Sequence, residues 1–525
     1  MGIYLNSTND KFKIAVNSQI YVDKTELIQI TNRLMATESR FLCVSRPRRF
    51  GKSMAANMLN AYYSRGCDSS ALFAGRKIAN SENYEKYRNQ YDVIFVNMQE
   101  FLSRTKDVYE MVNRLKKMIT RELVKEYPDA DYFDREDLAQ SMQDAYEVSR
   151  CPFVVIIDEW DCVLREYKKD QEVQKFYLDF LRDLLKDKGY IHLAYMTGIL
   201  PVKKYGTHSA LNMFREYSMM DAGELAEYVG FLECEVKELC DAYEVDFQEM
   251  KRWYDGYEFS EVGSVYNPQS VVFSIQSRKF NNYWNQTETY EALREYIDMN
   301  FDGLKDSVLK MMGGEHVGVY TGSFANDMTT FASKDDVMTL LIHLGYLGYD
   351  FENEEVFIPN NEIMNEFANA VRNSDWGEVT KALILSKETL QAIWDKDSEK
   401  VAVAIQEAHF ETSYLQYHDE NALSYTISLA LFAARNYYIV VREFPMGKGI
   451  ADMVYLPKKE FPEKPALVVE LKWDKTSQGS IEQIKNKEYG KTLEDYTGEI
   501  LLVGINYDRK TKEHQCKIEE YRKNH

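Results

Sequence analysis

Phe41-Leu-Cys-Val-Ser45, Arg46-Pro-Arg-Arg-Phe-Gly-Lys-Ser53 and Met54-Ala-Ala-Asn-Met-Leu-Asn-Ala-Tyr-Tyr63 follow one another without a break. An apolar run, a turn-like segment and a helix-forming run predict strand, loop and helix. Further apolar runs at Val93-Ile-Phe-Val96, Phe153-Val-Val-Ile-Ile157 and His192-Leu-Ala-Tyr-Met196 alternate with charged helical stretches, Val108 to Lys125 and Gln171 to Lys186. Continuous apolar strands alternating with helices predict an α/β domain whose parallel sheet is buried on both faces.

The loop between the first strand and helix carries chemistry. A bound triphosphate needs backbone N–H groups converging on its oxygens, a lysine to neutralise charge and a hydroxyl for Mg2+, all at a helix N-terminus. Gly51, Lys52 and Ser53 supply the last part of that arrangement, but Arg46 stands where the full pattern has its first glycine. Asp158 and Glu159 end an apolar run, so a strand tip presents one carboxylate to a Mg2+ shell and another to an attacking water. A strand-end aspartate acting as a helix cap is the plainer alternative. Thr197-Gly198 closes another strand, where a polar sensor of the γ-phosphate would sit.

A second constellation lies in the last hundred residues. The segment reads helix Glu420 to Arg435, strands Tyr437 to Phe444, Ile450 to Leu456 and Ala466 to Lys472, helix Ser480 to Tyr496, and strand Glu499 to Ile505. This is an αβββαβ order. Asp452 and Glu470 fall on neighbouring strands, and Glu470 and Lys472, two apart, share a face. Two carboxylates and a lysine suit phosphodiester hydrolysis, which needs a metal to polarise the phosphate and deliver hydroxide and a cation beside the attacking water. Glu420 would add a carboxylate to the metal shell, and Gln483 and Tyr489 would orient phosphate or water. Exposed sheet faces also carry Glu-x-Lys, yet Val468-Val469 and Leu471 make the surroundings of Glu470 apolar.

Between these regions, Glu224 to Asn300 is helical and aromatic, and Trp253, Tyr254, Tyr257, Tyr283 and Trp284 read as a packing core. Asp335 to Asn369 predicts a helix, a turn at Gly345, a strand through Val356-Phe-Ile358 and a second helix, a winged-helix-like unit. The expected division is 1–222, 223–330, 331–405 and 406–525. At 525 residues two to four domains are expected.

Seven scattered cysteines without a CxxC pair read as reduced thiols, and eight histidines show no zinc-ligand spacing. No apolar run approaches a membrane span, and the opening Met-Gly-Ile-Tyr-Leu-Asn lacks the regions of a signal peptide, so a cytoplasmic protein with no membrane partner is expected. The net charge of −20 argues against broad adhesion to nucleic acid. It is unevenly spread: residues 436–525 hold 16 Lys+Arg against 15 Asp+Glu, and the rest of the chain 48 against 69. Polyanion contact is therefore expected at the C-terminal domain or at Arg46, Arg48 and Arg49.

Tyr21-Val-Asp-Lys-Thr25, Arg46-Pro-Arg-Arg-Phe-Gly-Lys-Ser53, Ile157-Asp-Glu-Trp-Asp161, Trp253-Tyr-Asp-Gly-Tyr257 and Tyr266-Asn-Pro268 together resemble the AAA-ATPase-like family of bacterial proteins that carry a C-terminal PD-(D/E)XK nuclease domain. The resemblance covers nearly the whole chain. It implies a P-loop fold, ATP held by Arg46, Pro47, Arg48, Arg49, Phe50, Gly51, Lys52 and Ser53 together with Asp158 and Thr197, and Mg2+ on Ser53 and Asp158. It implies Glu159 activating water, and it sets Tyr21 to Thr25 near the base. Arg48, Arg49 and Arg215 are candidates for an arginine finger. In the nuclease domain it implies a restriction-endonuclease-like fold with Mg2+, or Mn2+, on Asp452 and Glu470, and Ala451 stands where the motif has proline. The expectation is an ATPase whose nucleotide state gates cleavage of DNA or RNA. The alternative is a nucleotide-dependent switch, or a motor working as a homo-oligomer, whose nuclease-like domain does not cut.

Overall fold

A computed structural model of the protein describes residues 2–202, 210–284, 290–299, 301–324, 331–372, 376–411, 426–446, 449–459, 461–473, 477–486, 498–508 and 510–521. The chain forms two compact units that interleave in sequence, Met1–Trp284 with Gly318–Ile363, and Asn285–Val317 with Met364–His525.

The first unit is built on strands β1 (Phe41–Ser45), β2 (Asp92–Asn97), β3 (Phe153–Asp158), β4 (Ile191–Gly198) and β5 (Arg215–Tyr217). They pair in the order β2-β3-β4-β1-β5, all parallel. Leu42, Cys43, Val44, Val154 and Ile156 are fully buried, as strands covered on both faces require. The helices Val108–Glu126, Leu138–Ser149 and Gln171–Leu185 each start on an aspartate, Asp107, Asp137 or Asp170, whose carboxylate accepts an N–H of the first turn. The β1–β4 register sets Val44 beside Thr197 and Ser45 beside Gly198. The C-terminal tips of β1, β3 and β4 therefore meet at one edge, the place where open α/β sheets bind ligands.

Short strands β6 (Phe231–Leu232), β7 (Tyr257–Phe259) and β8 (Gly263–Tyr266) form an antiparallel sheet in the order β6-β8-β7. Tyr254, Tyr266 and Tyr283 pack there with Val236, Met250, Val271 and Ile275, with Trp253 at the margin. The aromatic stripe is thus a core. The two-residue β9 (Val317–Gly318) contains one boundary between the units. Helix Lys334–Leu344 ends at Gly345, φ +84°, and is followed by the hairpin β10 (Gly348–Asp350) and β11 (Glu355–Phe357) and by helix Asn361–Arg372. The turn expected at Gly345 thus opens into a strand, β10, that the glycines had disguised.

The second unit carries β12 (Tyr438–Met446), β13 (Gly449–Pro457), β14 (Ala466–Trp473), β15 (Ile500–Asp508) and β16 (Glu513–Glu520), in that order across the sheet. Only β14 and β15 are parallel, joined through helix Ser477–Asn486, and the other pairs are antiparallel. Ala451, Val454, Val468, Ile481 and Leu502 form its core. The fifth strand, β16, is absent from the expected αβββαβ order because the edge sequence Glu513-His-Gln-Cys-Lys-Ile-Glu-Glu520 is too polar to read as a strand. The expected opening helix is described only from residue 426, and 432–436 form a 3-10 turn. Among the described residues no helix is long and apolar enough to cross a membrane.

Candidate functional site

Gly51 stands at φ +93° as the N-cap of helix Lys52–Tyr63, and no side chain caps that helix. A helix N-terminus left with uncapped N–H groups attracts anions. Lys52 is buried, and its ammonium donates to the carbonyls of Arg46 at 2.9 Å and Pro47 at 2.8 Å. The loop is thus closed on its own lysine. Burial lowers the Lys52 pKa, and the charges of Glu159, Asp161 and Asp158 oppose that shift. Ser53 is exposed at the same helix start.

The other loop residues divide between surface and interior. Arg46 is fully buried, and its guanidinium donates to the carbonyls of Ser45 and Tyr217 and lies over the ring of Phe259. Burial lowers its pKa to about 10. The structure places this side chain as an internal brace between β1, β5 and β7. Phe50 is fully buried against the edge of Tyr257, and Pro47 packs where a side chain at Gly345 would sit. Arg48 and Arg49 are half-buried; Arg49, at φ +68°, donates to the carbonyl of Tyr283 at 2.8 Å. Arg215 is exposed on β5 and lies 3.6 Å from Glu224.

Asp158 is buried at the tip of β3, where it accepts from the Thr197 hydroxyl and from Asn97 Nδ2 at 3.1 Å. Lys52, Asp158 and Thr197 are therefore brought to one edge. Glu159 follows at φ +55° and forms an ion pair with Arg165. Burial raises its pKa, against the opposing charges of Lys52 and Arg165. Asn97, Asp161 and Arg165 belong to the site and were missed from sequence. Asp161 lies within the quoted motif and Asn97 directly after an apolar run, but only the helix turn Cys162–Glu166 brings Arg165 back to Asp161. Tyr21 to Thr25 is a structural strap: Asp23 accepts from the backbone of Lys77, Thr25 from that of Ile78, and Lys24 pairs with Glu235 at 2.6 Å.

In the second unit the pairing of β13 with β14 ends at Met453 beside Val469, and Asp452 and Glu470 are the next residues on the two strands. The Asp452 carboxylate accepts from Leu471 N–H at 2.6 Å, and Lys472 Nζ donates to Glu470 Oε1 at 3.0 Å. Glu470 and Lys472 are both buried. Asp452, Glu470 and Lys472 are thus brought together. Two carboxylates from adjoining strands, with one ammonium paired to Glu470, are a hard-oxygen donor set of the kind that suits Mg2+ or Mn2+. In β15, Gly504 pairs with Glu470 and the buried Asn506 with Lys472, neither of which sequence reading singled out. Gln483 lies on helix Ser477–Asn486, though its side chain, Glu420 and Tyr489 fall outside the described residues.

Residues 8–207 match the family described as a predicted AAA-ATPase, and residues 419–517 match the PD-(D/E)XK nuclease superfamily. An uncharacterized protein from the vnfD 5′ region of Azotobacter chroococcum mcd 1 is 24% identical over 276 residues, 51% of each protein, so the chain spans about half the length of that curated relative. Among solved structures, the Walker-type ATPase PABY2304 of Pyrococcus abyssi is 12% identical with a TM-score of 0.35, covering 66% of this chain and 94% of its own. The ORC2 protein of Aeropyrum pernix is 10% identical with a TM-score of 0.30, covering 68% and 97%.

Proposed function

Because the chain joins an AAA-ATPase-like domain to a C-terminal PD-(D/E)XK nuclease superfamily domain, we propose that it binds and hydrolyses ATP and that its nucleotide state gates a Mg2+-dependent endonuclease acting on DNA or RNA. The observation that supports the reading is that one chain carries both sets of residues, Lys52 near Asp158 and Thr197 at the edge of the first sheet, and Asp452, Glu470 and Lys472 on adjoining strands of the second.

In the first site Lys52 leaves its own loop carbonyls for the β- and γ-phosphates. Gly51 and the residues around it offer backbone N–H groups. Ser53 and Asp158 would hold Mg2+, Thr197 would face the γ-phosphate and Glu159 would orient water. In the second, Asp452 and Glu470 would hold Mg2+ or Mn2+, Lys472 would stand beside developing charge, and Gln483 and Glu420 would assist. A bound divalent ion there supplies Lewis-acid polarisation of the phosphate and a hydroxide nucleophile.

Gating is supported by a run of hydrogen bonds within the first unit. Arg49 of the phosphate loop holds the carbonyl of Tyr283, while the N–H groups of Tyr283 and Trp284 donate to Glu362 at 2.8 and 3.0 Å. Trp284 and Ile363 are the residues after which the chain passes into the second unit. The net charge of −20 favours the second reading, a cytoplasmic switch or oligomeric motor whose nuclease-like domain binds without cutting. Incubation with Mg2+ or Mn2+ and mixed single- and double-stranded DNA and RNA separates the two. Cleavage lost in Asp452→Ala establishes the nuclease, whereas ATP turnover with no cleavage of any substrate establishes the switch.

A further inference from the structure

We propose that Arg165, held by Asp161, is a positioning residue that aims Glu159 during ATP hydrolysis; this rests on the reading of the phosphate site given above. Glu159 stands in a left-handed backbone conformation that side-chain-bearing residues seldom adopt, so its backbone is held there by its surroundings. The only charged partner the structure gives it by direct contact among the described residues is Arg165.

Arg165 is itself fixed. Its Nε lies 3.2 Å from Asp161 Oδ2 as an ion pair without hydrogen-bond alignment, and that oxygen accepts the N–H groups of Ile199 at 3.0 Å and Leu200 at 2.9 Å. Asp161 is fully buried, so these contacts face no competition from water. Ile199 and Leu200 directly follow Thr197-Gly198. At Gly198 an added Cβ would lie 2.6 Å from Trp160 Nε1 and 2.9 Å from Asp161 Oδ1, which leaves the junction no slack. Glu159, Arg165, Asp161 and the backbone after β4 therefore form one cross-tie between the tip that carries Asp158 and the tip that carries Thr197. A guanidinium suits this place because one end hydrogen-bonds Glu159 while its Nε lies beside the Asp161 carboxylate, a spread of donors that the point charge of a lysine ammonium does not offer. Water activation is steep in geometry, and a displacement of about 1 Å costs up to about 100-fold in rate.

The test uses the full-length protein with Arg165→Gln, Arg165→Lys and Asp161→Asn, measuring kcat and KM for ATP, affinity for a fluorescent ADP and thermal midpoint. The expected result is a kcat at least about tenfold lower in Arg165→Gln, with KM and ADP affinity within about twofold of wild type, and partial recovery of kcat in Arg165→Lys. An unchanged or raised kcat in Arg165→Gln overturns the proposal, as does a kcat loss matched by equal losses of ADP affinity and thermal midpoint in both Arg165 variants. Wild-type protein that neither binds nor hydrolyses ATP overturns the reading of the site itself, and the proposal with it.

Discussion

The guanidinium of Arg49 in the phosphate loop donates to the carbonyl of Tyr283, and the N–H of the same Tyr283 donates to Glu362. One peptide neighbourhood thus joins the loop that would close on a triphosphate to a carboxylate one residue before the chain leaves the first unit. Ser270 Oγ also donates to Glu362, so helix Pro268–Ser277 is held by the same group.

Glutamine at 362 keeps an oxygen for the Tyr283 and Trp284 N–H groups and offers its NH2 to the Ser270 hydroxyl, but it removes the charge that strengthens these hydrogen bonds, at a cost of about 1 kcal/mol. The expected outcome in Glu362→Gln is a lower thermal midpoint, an ATP affinity close to wild type and a cleavage rate that no longer responds to ATP. Parallel binding and cleavage assays check it.

Lys472 and Glu470 are a buried pair, and removing one partner from such a pair costs about 3–5 kcal/mol. Lys472→Met should therefore destabilise the C-terminal domain and abolish cleavage. Mn2+ bound at the proposed site would supply the missing positive charge beside Glu470, so the gain in thermal midpoint on adding Mn2+ should be larger in the variant than in wild type. Thermal scans with and without the ion decide this.

Gly504 packs under the helix that follows β14. A Cβ there would sit 2.6 Å from the Ser477 carbonyl and 2.9 Å from Ser480 Cβ. Gly504→Ala should cost about 1–3 kcal/mol through overpacking, read by urea denaturation. It should also displace the helix that carries Gln483 and slow cleavage.

His343 is buried, and burial, with a smaller contribution from the nearby Arg46 charge, lowers its pKa to about 3. The unfolded chain binds a proton near pH 6.5 that the folded chain refuses, so this group's contribution to stability is present above pH 6.5 and is lost as pH falls toward 3. Wild-type stability should drop by about 1.4 kcal/mol per pH unit more steeply than that of His343→Gln across this window. Chemical denaturation of both proteins between pH 7 and pH 4 measures the difference.

Much of this was legible in the sequence because local pattern and chemistry agree. The β1–loop–helix unit is continuous from Phe41 to Tyr63, and Asp158, Thr197, Asp452, Glu470 and Lys472 all sit at strand positions that alternation or apolar runs announce. What was hidden depends on tertiary contact. Arg46 looks like a phosphate ligand in one dimension, but the carbonyls of Ser45 and Tyr217 and the ring of Phe259 draw it inward. Arg165 gains its role only through a turn of helix, and β16 is a polar edge strand whose pairing with β15 no periodicity predicts.

The most direct test of nucleotide gating is the initial rate of nucleic-acid cleavage in Mg2+ with no nucleotide, with ATP, with ADP and with a non-hydrolysable ATP analogue, for wild type and Lys52→Ala. The account predicts that the wild-type rate differs between these states, while Lys52→Ala stays at its nucleotide-free rate throughout. A wild-type rate that is the same in all four states, or a Lys52→Ala rate that responds to ATP as wild type does, would contradict it.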